Sequence, residues 1–419
     1  DEVAYILDDS GAKILVVDHE LKKMVEGVDL GSIETIVVQD TGEEDDPYEQ
    51  LLASGSEEPR ETFLTDETDP ISINYTSGTT GRAKGAMLSH ENLASNARVL
   101  VDQWHFTADD ILIHALPIFH THGLLVATNV ILMAGASMLF EGKFDPARIV
   151  ALLPRATALM GVPTFYVRLL QQEGLNHQTA ENIRLFISGS APLLVETHAA
   201  WRERTGHAIL ERYGMTETNM NTSNPYAGER RAGTVGFPLP GVSLRIADPD
   251  SGRTLGQGKV GMIEVKGPNV FAGYWRMPEK TKAEFRDGGF FITGDLGLID
   301  VDGYVHIVGR GKDLIISGGY NISPKEIESE IDALAGVSES AVIGVAHPDF
   351  GEGVTAVVVR TPGSAIGAAD IIAAIAGRLA KYKHPKRVIF VDELPRNTMG
   401  KVQKNLLRET YRDLYKAGS

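Results

Sequence analysis

The chain contains no cysteine. Disulfides, cysteine-ligated metals and a cysteine nucleophile are all excluded, so a thioester made here must take its thiol from a partner or cofactor. Positive charge is also short: 40 Lys and Arg stand against 56 Asp and Glu, a formal net charge of -16. A nucleic-acid partner is not expected, because phosphate backbones want a basic face. A nucleotide needs only a local basic pocket and stays open. The stretch from Ile111 to Phe140 has no Asp, Glu, Lys or Arg and is long enough to raise a membrane span. His114, His120, His122 and Asn129 interrupt it, however, and Pro117 breaks any helix near its start. A buried strand, loop, helix and strand is expected there, with no membrane span. No signal peptide is visible and the chain opens at Asp1 without a methionine, so an amino-terminal part is expected to be absent. The expected location is cytoplasmic, and nothing in the sequence sets the oligomeric state.

At 419 residues, 43% hydrophobic and 23% charged, the composition is that of a globular enzyme of two or three domains. Short β-branched runs at 13–17, 35–38, 136–140, 158–161 and 184–188 alternate with helical or turn-rich stretches. This alternation predicts an α/β fold, a parallel sheet wrapped by helices. After Gly233 the texture changes to short strands between Gly, Pro and Asp turns, which reads as antiparallel or barrel-like β. A second change falls at 309–313 and divides the chain into a large domain, 1–310, and a small α+β domain, 311–419. In the small domain Ser323 and Glu326 form the pattern of a capping box, with Pro324 at the first helical position, opening a helix through Ile327 and Ile331. Strands at 341–345, 355–360 and 388–391 and helices at 370–379 and after Val402 complete it.

Several stretches exceed what a packed core requires. Residues 75–85 read YTSGTTGRAKG, with Thr76, Ser77, Thr79 and Thr80 as hydroxyl donors, Gly78 and Gly81 three apart, and Lys84 three beyond. Glycine lets backbone approach a phosphate, hydroxyls donate to its oxygens and lysine adds a point charge, yet the Walker spacing is absent. A solvated polar turn is the alternative, and it would need neither Lys84 nor the apolar strand at 71–74. In YGMTE, residues 213–217, Tyr213 can stack on a base, Thr216 can donate to a phosphate and Glu217 can hold Mg²⁺. A strand end with a capping threonine is the plainer reading. Asp295, after Thr293 and Gly294, suits ribose hydroxyls, and Arg310 suits a phosphate. Lys401 sits in the turn-rich PRNTMGK, residues 395–401, where a lone lysine is usually solvated.

The order of these stretches resembles the adenylate-forming superfamily of acyl-CoA synthetases, luciferases and peptide-synthetase adenylation domains. The likeness runs through YTSGTTGRAKG, PIFHTHG (117–123), YGMTE, GYWRMPEKT (273–281), FITGD (291–295), GRGKDLIISGGYNISPKEIE (309–328) and PRNTMGKVQK (395–404). It implies ATP, Mg²⁺ and coenzyme A, with a carboxylate attacking the α-phosphorus and a thiol then displacing AMP. It further implies that residues 76–80 and Lys84 hold pyrophosphate, that Thr216 meets the α-phosphate, and that Glu217 binds Mg²⁺. Tyr213 and Glu211 would line the nucleotide site, Ser190, Ala191 and Pro192 another wall of it, and Asp295 with Arg310 the ribose and phosphate side. Lys401 would bridge charge during adenylation, Lys312 would be a hinge, and Gly318 and Gly319, before Tyr320, would line the thiol tunnel.

The acid is read from fewer residues. GVPTFYVR, residues 161–168, matches the helix beside the acyl pocket and ends in Arg168, with Ser188 and Ser190 following in ISGSAPL. A buried guanidinium is costly unless paired, and its planar fork suits a carboxylate. This predicts a short diacid held by its second carboxylate. Arg168 as the exposed polar residue of an amphipathic helix is the alternative. With ERYGMTETNMNTSNPY, residues 211–226, the chain is similar to the malonate-activating branch of the superfamily, which implies malonate and methylmalonate as acids. His120 would act as a gate or touch the reacting carboxylate; a satisfied core histidine is the alternative.

Overall fold

A computed structural model describes residues 2–38, 46–56, 58, 66–76, 83–317, 320–397 and 400–415. Contacts sort the chain into two units, Asp1–Asn92 with Phe271–Lys282, and Leu93–Val270 with Ala283–Ser419.

In the first unit the β-branched runs form the parallel pair Ile14–Asp18 and Glu34–Val38. A second sheet is antiparallel, with Lys84–Ser89 between Pro70–Thr76 and Gly273–Tyr274. Thr76 is the register partner of Lys84, which sets the two ends of YTSGTTGRAKG across from each other; Ser77, Gly78, Thr79 and Thr80 lie outside the described residues. Lys84 Nζ stands 4.4 Å from the ring centroid of Tyr274.

The second unit is built on a seven-stranded sheet. Its strands run Phe237–Pro238, Asn219–Ser223, Leu210–Met215, Leu185–Ser188, Ala158–Gly161, Ile111–His114 and Ser137–Phe140. The last five are mutually parallel. Ala158–Gly161 and Leu185–Ser188 are buried at every position, as expected of strands with both faces covered. Helices Pro146–Leu152, Pro163–Leu170 and Val195–Thr205 supply cover. Asp145 caps the first by accepting from Arg148 N at 3.0 Å, with Pro146 behind it. Trp201, fully buried, meets the rings of Tyr166 and Phe186 edge-on, both at 4.9 Å.

The chain enters this parallel sheet at Ile111–His114, steps to one side for Ser137–Phe140, then returns to the other side for the remaining strands. Such a reversal opens a crevice at the carboxyl ends of the strands, where ligands bind in open α/β sheets. Three of those ends lead into PIFHTHG, ISGSAPL and YGMTE. The charge-free run is resolved as strand, loop, a π-helical turn His122–Ala127, helix Thr128–Ala134 and strand. Among the described residues no helix is long and apolar enough to cross a membrane.

An antiparallel sheet of Ser243–Ala247, Gly261–Lys266, Phe291–Ile299 and Val305–Arg310 follows. Its cross-strand register sets Asp295 opposite Arg310 and Arg245 opposite Glu264. The carboxyl-terminal residues form a five-stranded sheet in which Gly351–Arg360 is central, pairing with Val337–His347, Arg387–Val391 and Ile315–Ser317. One face packs on Ile327, Ile331 and Ile371, the other on Leu394 and Leu407.

One local reading fails there. Pro324–Asp332 is a helix with proline at its start, but Ser323 makes no capping bond to it. The Ser323 hydroxyl donates instead to Val308 O at 2.9 Å, and Glu326 pairs with Lys383 at 2.5 Å. A tertiary acceptor from the preceding strand has taken the hydroxyl.

Glu264 is fully buried and holds two guanidiniums, Arg245 at 2.7 Å and Arg286 at 2.9 Å. Removing one partner of such a cluster strands the others in a poorly solvated place. Glu264→Ala is therefore expected to cost about 3–5 kcal/mol, read as a lowered denaturant midpoint. Arg245→Ala, which leaves Arg286 in place, should cost clearly less.

Candidate active site

Strand Leu210–Met215 is where the site begins. Leu210, Glu211 and Arg212 are all buried, and alternation sends the two charged side chains to opposite faces. Glu211 is satisfied on its side: its carboxylate accepts from Gly233 N at 3.1 Å and lies 3.4 Å from His198 Nδ1. Burial raises its pKa, and His198 and the Gly233 amide oppose that.

Arg212 is not satisfied. It is 3% exposed, and Nε and Nη2 find no hydrogen-bond partner among the described residues. Burial lowers its pKa to about 9, with only Tyr166 acting against this. The guanidinium lies flat on Gly189, where a built Cβ would stand 2.4 Å from Nη1 and 2.5 Å from Cζ. Beside Gly189, Ser190 adopts a left-handed φ of 69° and its Oγ lies 3.3 Å from His122 Nδ1. His122 N donates to His120 Nδ1 at 3.1 Å. Burial, then the charges of Lys401 and Arg212, push the His120 pKa down to about 4; burial, then Arg212, also push that of His122 well below the usual imidazole range. Both imidazoles are neutral at physiological pH.

The loop carrying Lys401 reaches this place from the carboxyl-terminal sheet. It is tied at its neck by Gln403 N to Pro395 O at 2.8 Å and by Lys401 N to Asn397 Oδ1 at 2.9 Å. A Cβ on Gly400 would come within 4.0 Å of Thr164 Cγ2, at the start of helix Pro163–Leu170. Lys401 is exposed, yet nearby protein removes part of the water around its ammonium. That desolvation and Arg310 lower its pKa, while Asp295 and Glu217 raise it. Asp295 is buried, accepts from Tyr213 Oη at 2.5 Å and pairs with Arg310 Nε at 2.8 Å. Asp295 in turn raises the Arg310 pKa; burial and Asp295 raise that of Tyr213. Lys401, Arg310 and Arg212 thus face Asp295 and Glu217 around a crevice at the sheet's carboxyl edge, an arrangement fit to bind a multiply charged anion.

Comparison with known proteins decides the family. Residues 1–275 match the AMP-binding enzyme family and residues 326–401 match the AMP-binding enzyme C-terminal domain. The chain belongs to the AMP-binding enzyme family. It is similar to MatB from Rhodopseudomonas palustris, solved with ATP bound: 61% identity, 99% of this chain and 82% of that one covered, TM-score 0.95. The fold is the adenylate-forming one. Among curated relatives, a malonate–CoA ligase of Arabidopsis thaliana is 38% identical over 82% of this chain. A mitochondrial malonate–CoA ligase of Mus musculus is 36% identical over the whole chain and 76% of its own length. The chain spans 61% of the length of the plant ligase.

Within this AMP-binding fold the second unit brings together Lys401, His120, Glu217, Tyr213, Asp295 and Arg310. Ser188 is buried at its strand end and its Oγ has no partner among the described residues; Ala191 and Pro192 are exposed. Thr76 and Lys84 belong to the first unit. Lys312 lies in the short turn Gly311–Asp313, and Gly318 and Gly319 fall outside the described residues.

The reading of Arg168 as a buried guanidinium is corrected. Helix Pro163–Leu170 buries Phe165, Tyr166 and Leu169, and this 3.6-residue period turns Val167 and Arg168 outward, where Arg168 is exposed. In the last turn its charge suits the helix dipole. The buried arginine is Arg212, which the sequence analysis passed over. The available signal was a Glu-Arg pair inside an otherwise apolar strand.

Gly189→Ala tests the cradle. Its methyl cannot share space with the guanidinium, so Arg212 should shift by about 1 Å and the site's affinity for a small dicarboxylate should fall ~10²-fold. Calorimetry should show nucleotide affinity changed less than about twofold.

Proposed function

We propose that the protein joins malonate, with methylmalonate as a second acid, to coenzyme A at the expense of ATP. The observation that carries the diacid is Arg212: a buried, unpartnered guanidinium destabilises the empty site and is relieved by a carboxylate. One carboxylate of the acid would lie against Arg212 with Ser188 and Ser190 near, leaving the other to react beside His120. The similar MatB and malonate–CoA ligases support this reading.

In the first step the free carboxylate oxygen attacks the α-phosphorus of ATP and the bond to the β-phosphate oxygen breaks, releasing pyrophosphate. Negative charge builds on the α-phosphate and the bridging oxygens. Lys401 is placed among Arg310, Glu217 and Asp295 to meet it, a preorganised charge rather than a proton donor. Thr216 would donate to the α-phosphate, Asp295 and Arg310 would hold the ribose and phosphate side, Tyr213 and Glu211 would back the base, and Ser190 to Pro192 would form the facing wall. By the family resemblance, Thr76, residues 77–80 and Lys84 would hold the leaving pyrophosphate. Glu217 would hold Mg²⁺. Among the described residues there is no cluster of three or more metal-ligating side chains, which fits an ion bound by one carboxylate and substrate phosphates; when bound, it would neutralise phosphate charge.

In the second step the coenzyme A thiol loses its proton, its sulfur attacks the acyl carbon and AMP leaves. Residues 311–419 would turn about Lys312 to carry Lys401 out and bring Gly318, Gly319 and Tyr320 beside the thiol arm. A cytoplasmic setting for the two domains, 1–310 and 311–419, completes the proposal.

Substrate kinetics test it. Arg212→Ala should lower kcat/KM for malonate ~10²–10³-fold, from the ~2–5 kcal/mol cost of losing a desolvated ion pair, and hurt butyrate far less. Arg168→Ala should change malonate kcat/KM less than about threefold, since an exposed pair contributes little. Equal losses for malonate and butyrate in Arg212→Ala would refute the diacid and leave a monocarboxylate or aryl ligase.

Lys401→Ala should slow AMP formation from ATP and malonate ~10²–10³-fold, while transfer to coenzyme A from supplied malonyl-adenylate stays within about threefold. Parallel losses in both half-reactions would contradict a rotating carboxyl-terminal domain.

A further inference from the structure

The turn that carries Thr216 and Glu217 is closed by its own hairpin, Thr218 N donating to Met215 O at 3.1 Å, and is braced from outside it as well. Strands Leu210–Met215 and Asn219–Ser223 are antiparallel neighbours, with Asn219 opposite Met215 and Met220 opposite Gly214. The pairing slips between Met220 and Thr222, so the ladder keeps its register for only two pairs before it breaks on the side away from the turn. The hairpin is also tight: a Cβ on Gly214 would stand 1.8 Å from Asn219 O. Asn219 takes a left-handed φ of 49°, and neither amide atom of its buried side chain has a partner among the described residues. Such a conformation persists only where the surroundings over-determine it.

Those surroundings are two asparagines from distant segments. Asn96, on helix His90–Gln103 and 5% exposed, grips the backbone of Met220 at both ends. Its Nδ2 donates to Met220 O at 2.9 Å and its Oδ1 accepts from Met220 N at 3.2 Å. The side-chain amide thus does the work of a strand partner. Asn269, 2% exposed, donates through Nδ2 to Thr218 O at 2.7 Å and approaches Met220 O at 3.3 Å. The backbone on the carboxyl side of Glu217 is thus held by the turn's own Thr218–Met215 bond and, beyond it, by the side chains of Asn96 and Asn269.

We propose that Asn96 and Asn269 are positioning residues for the nucleotide-phosphate and metal site, holding the Thr216–Glu217 turn where Glu217 can share a divalent cation with the phosphates of ATP. This rests on the reading of Glu217 as the metal carboxylate. It predicts that loosening either clamp damages metal-dependent nucleotide binding more than it damages the fold or the acid site.

The experiment is calorimetric titration of the whole chain with ATP at a series of Mg²⁺ concentrations, in parallel with thermal melting. Asn96→Ala, Asn96→Asp, which keeps the acceptor and turns a carboxylate oxygen toward Met220 O, and Asn269→Ala are compared with Trp104→Phe. Trp104 lies beyond Asn96 on the same segment and bonds the far end of the same strand, Nε1 to Ser223 Oγ at 2.9 Å, so it reports a structural loss alone. The clamp variants should need about tenfold more Mg²⁺ for half-maximal ATP binding, while ATP affinity without Mg²⁺ and the KM for malonate move less than twofold. Trp104→Phe should melt earlier with an unchanged Mg²⁺ requirement. The proposal is overturned if the clamp variants lose ATP affinity equally with and without Mg²⁺, or follow Trp104→Phe. Should Asn96→Ala not fold, Asn96→Asp and Asn269→Ala decide by the same measure. Glu217→Gln separates the two layers: no change in its Mg²⁺ requirement refutes the metal reading itself, whereas a change in Glu217→Gln without one in the clamp variants refutes only the positioning.

Discussion

A guanidinium kept from water and given no carboxylate is a standing cost, and the crevice is organised around it. Gly189 leaves the flat space on which Arg212 lies, Tyr166 packs beside it, and the two nearest imidazoles are held neutral so that no further cation competes. Replacing Gly189 with any larger residue would force the charge away, and replacing the histidines with lysines would add repulsion to desolvation. Free energy stored in this way is released only when an anion arrives, which makes it a source of selectivity as well as affinity. A monocarboxylate with an apolar tail gains nothing from it.

The sheet explains why the groups converge. Parallel strands send all their carboxyl ends to one edge, and the reversal of strand order at Ile111–His114 opens that edge. The loops PIFHTHG, ISGSAPL and YGMTE follow strand ends, so their meeting is a consequence of topology rather than of the loops' own preferences. The antiparallel sheet adds Asp295 and Arg310 as a cross-strand pair, a contact set by register alone. Asn96 and Asn269 then add side-chain bonds to the strand that leaves the YGMTE turn, whose own ladder keeps its register for only two pairs.

This division also shows what could be read from the sequence. The run ALMG is apolar throughout and ILIH apolar but for His114, the mark that a strand buried on both faces leaves. Motif loops at strand ends were legible for the same reason, since they interrupt such runs. Arg168 was misread because a helix sends residues two apart to different faces, and only the burial of Tyr166 shows which face is inside. Arg212 was missed because strand alternation says that Glu211 and Arg212 face apart without saying which one looks into the crevice. Ser323 satisfied a local capping pattern, yet Val308 O, brought near by the fold, took its hydroxyl. Each of these depends on a partner far away in sequence.

The charge balance can be followed one step further. The chain as a whole is acidic, with a net charge of -16, but the crevice sets Lys401, Arg310 and Arg212 against Asp295 and Glu217 with both imidazoles neutral. At physiological ionic strength exposed charges are screened beyond ~8 Å, while partly buried ones are screened much less. The distant acidic surface therefore contributes little inside the crevice, where the local surplus of one cation decides what binds. That surplus depends on where Lys401 is. Withdrawing its loop would leave two arginines facing two carboxylates, a neutral set with little hold on an anionic leaving group. Under the rotation proposed for residues 311–419, this one lysine would let the same crevice retain phosphates for one reaction and release them before the next.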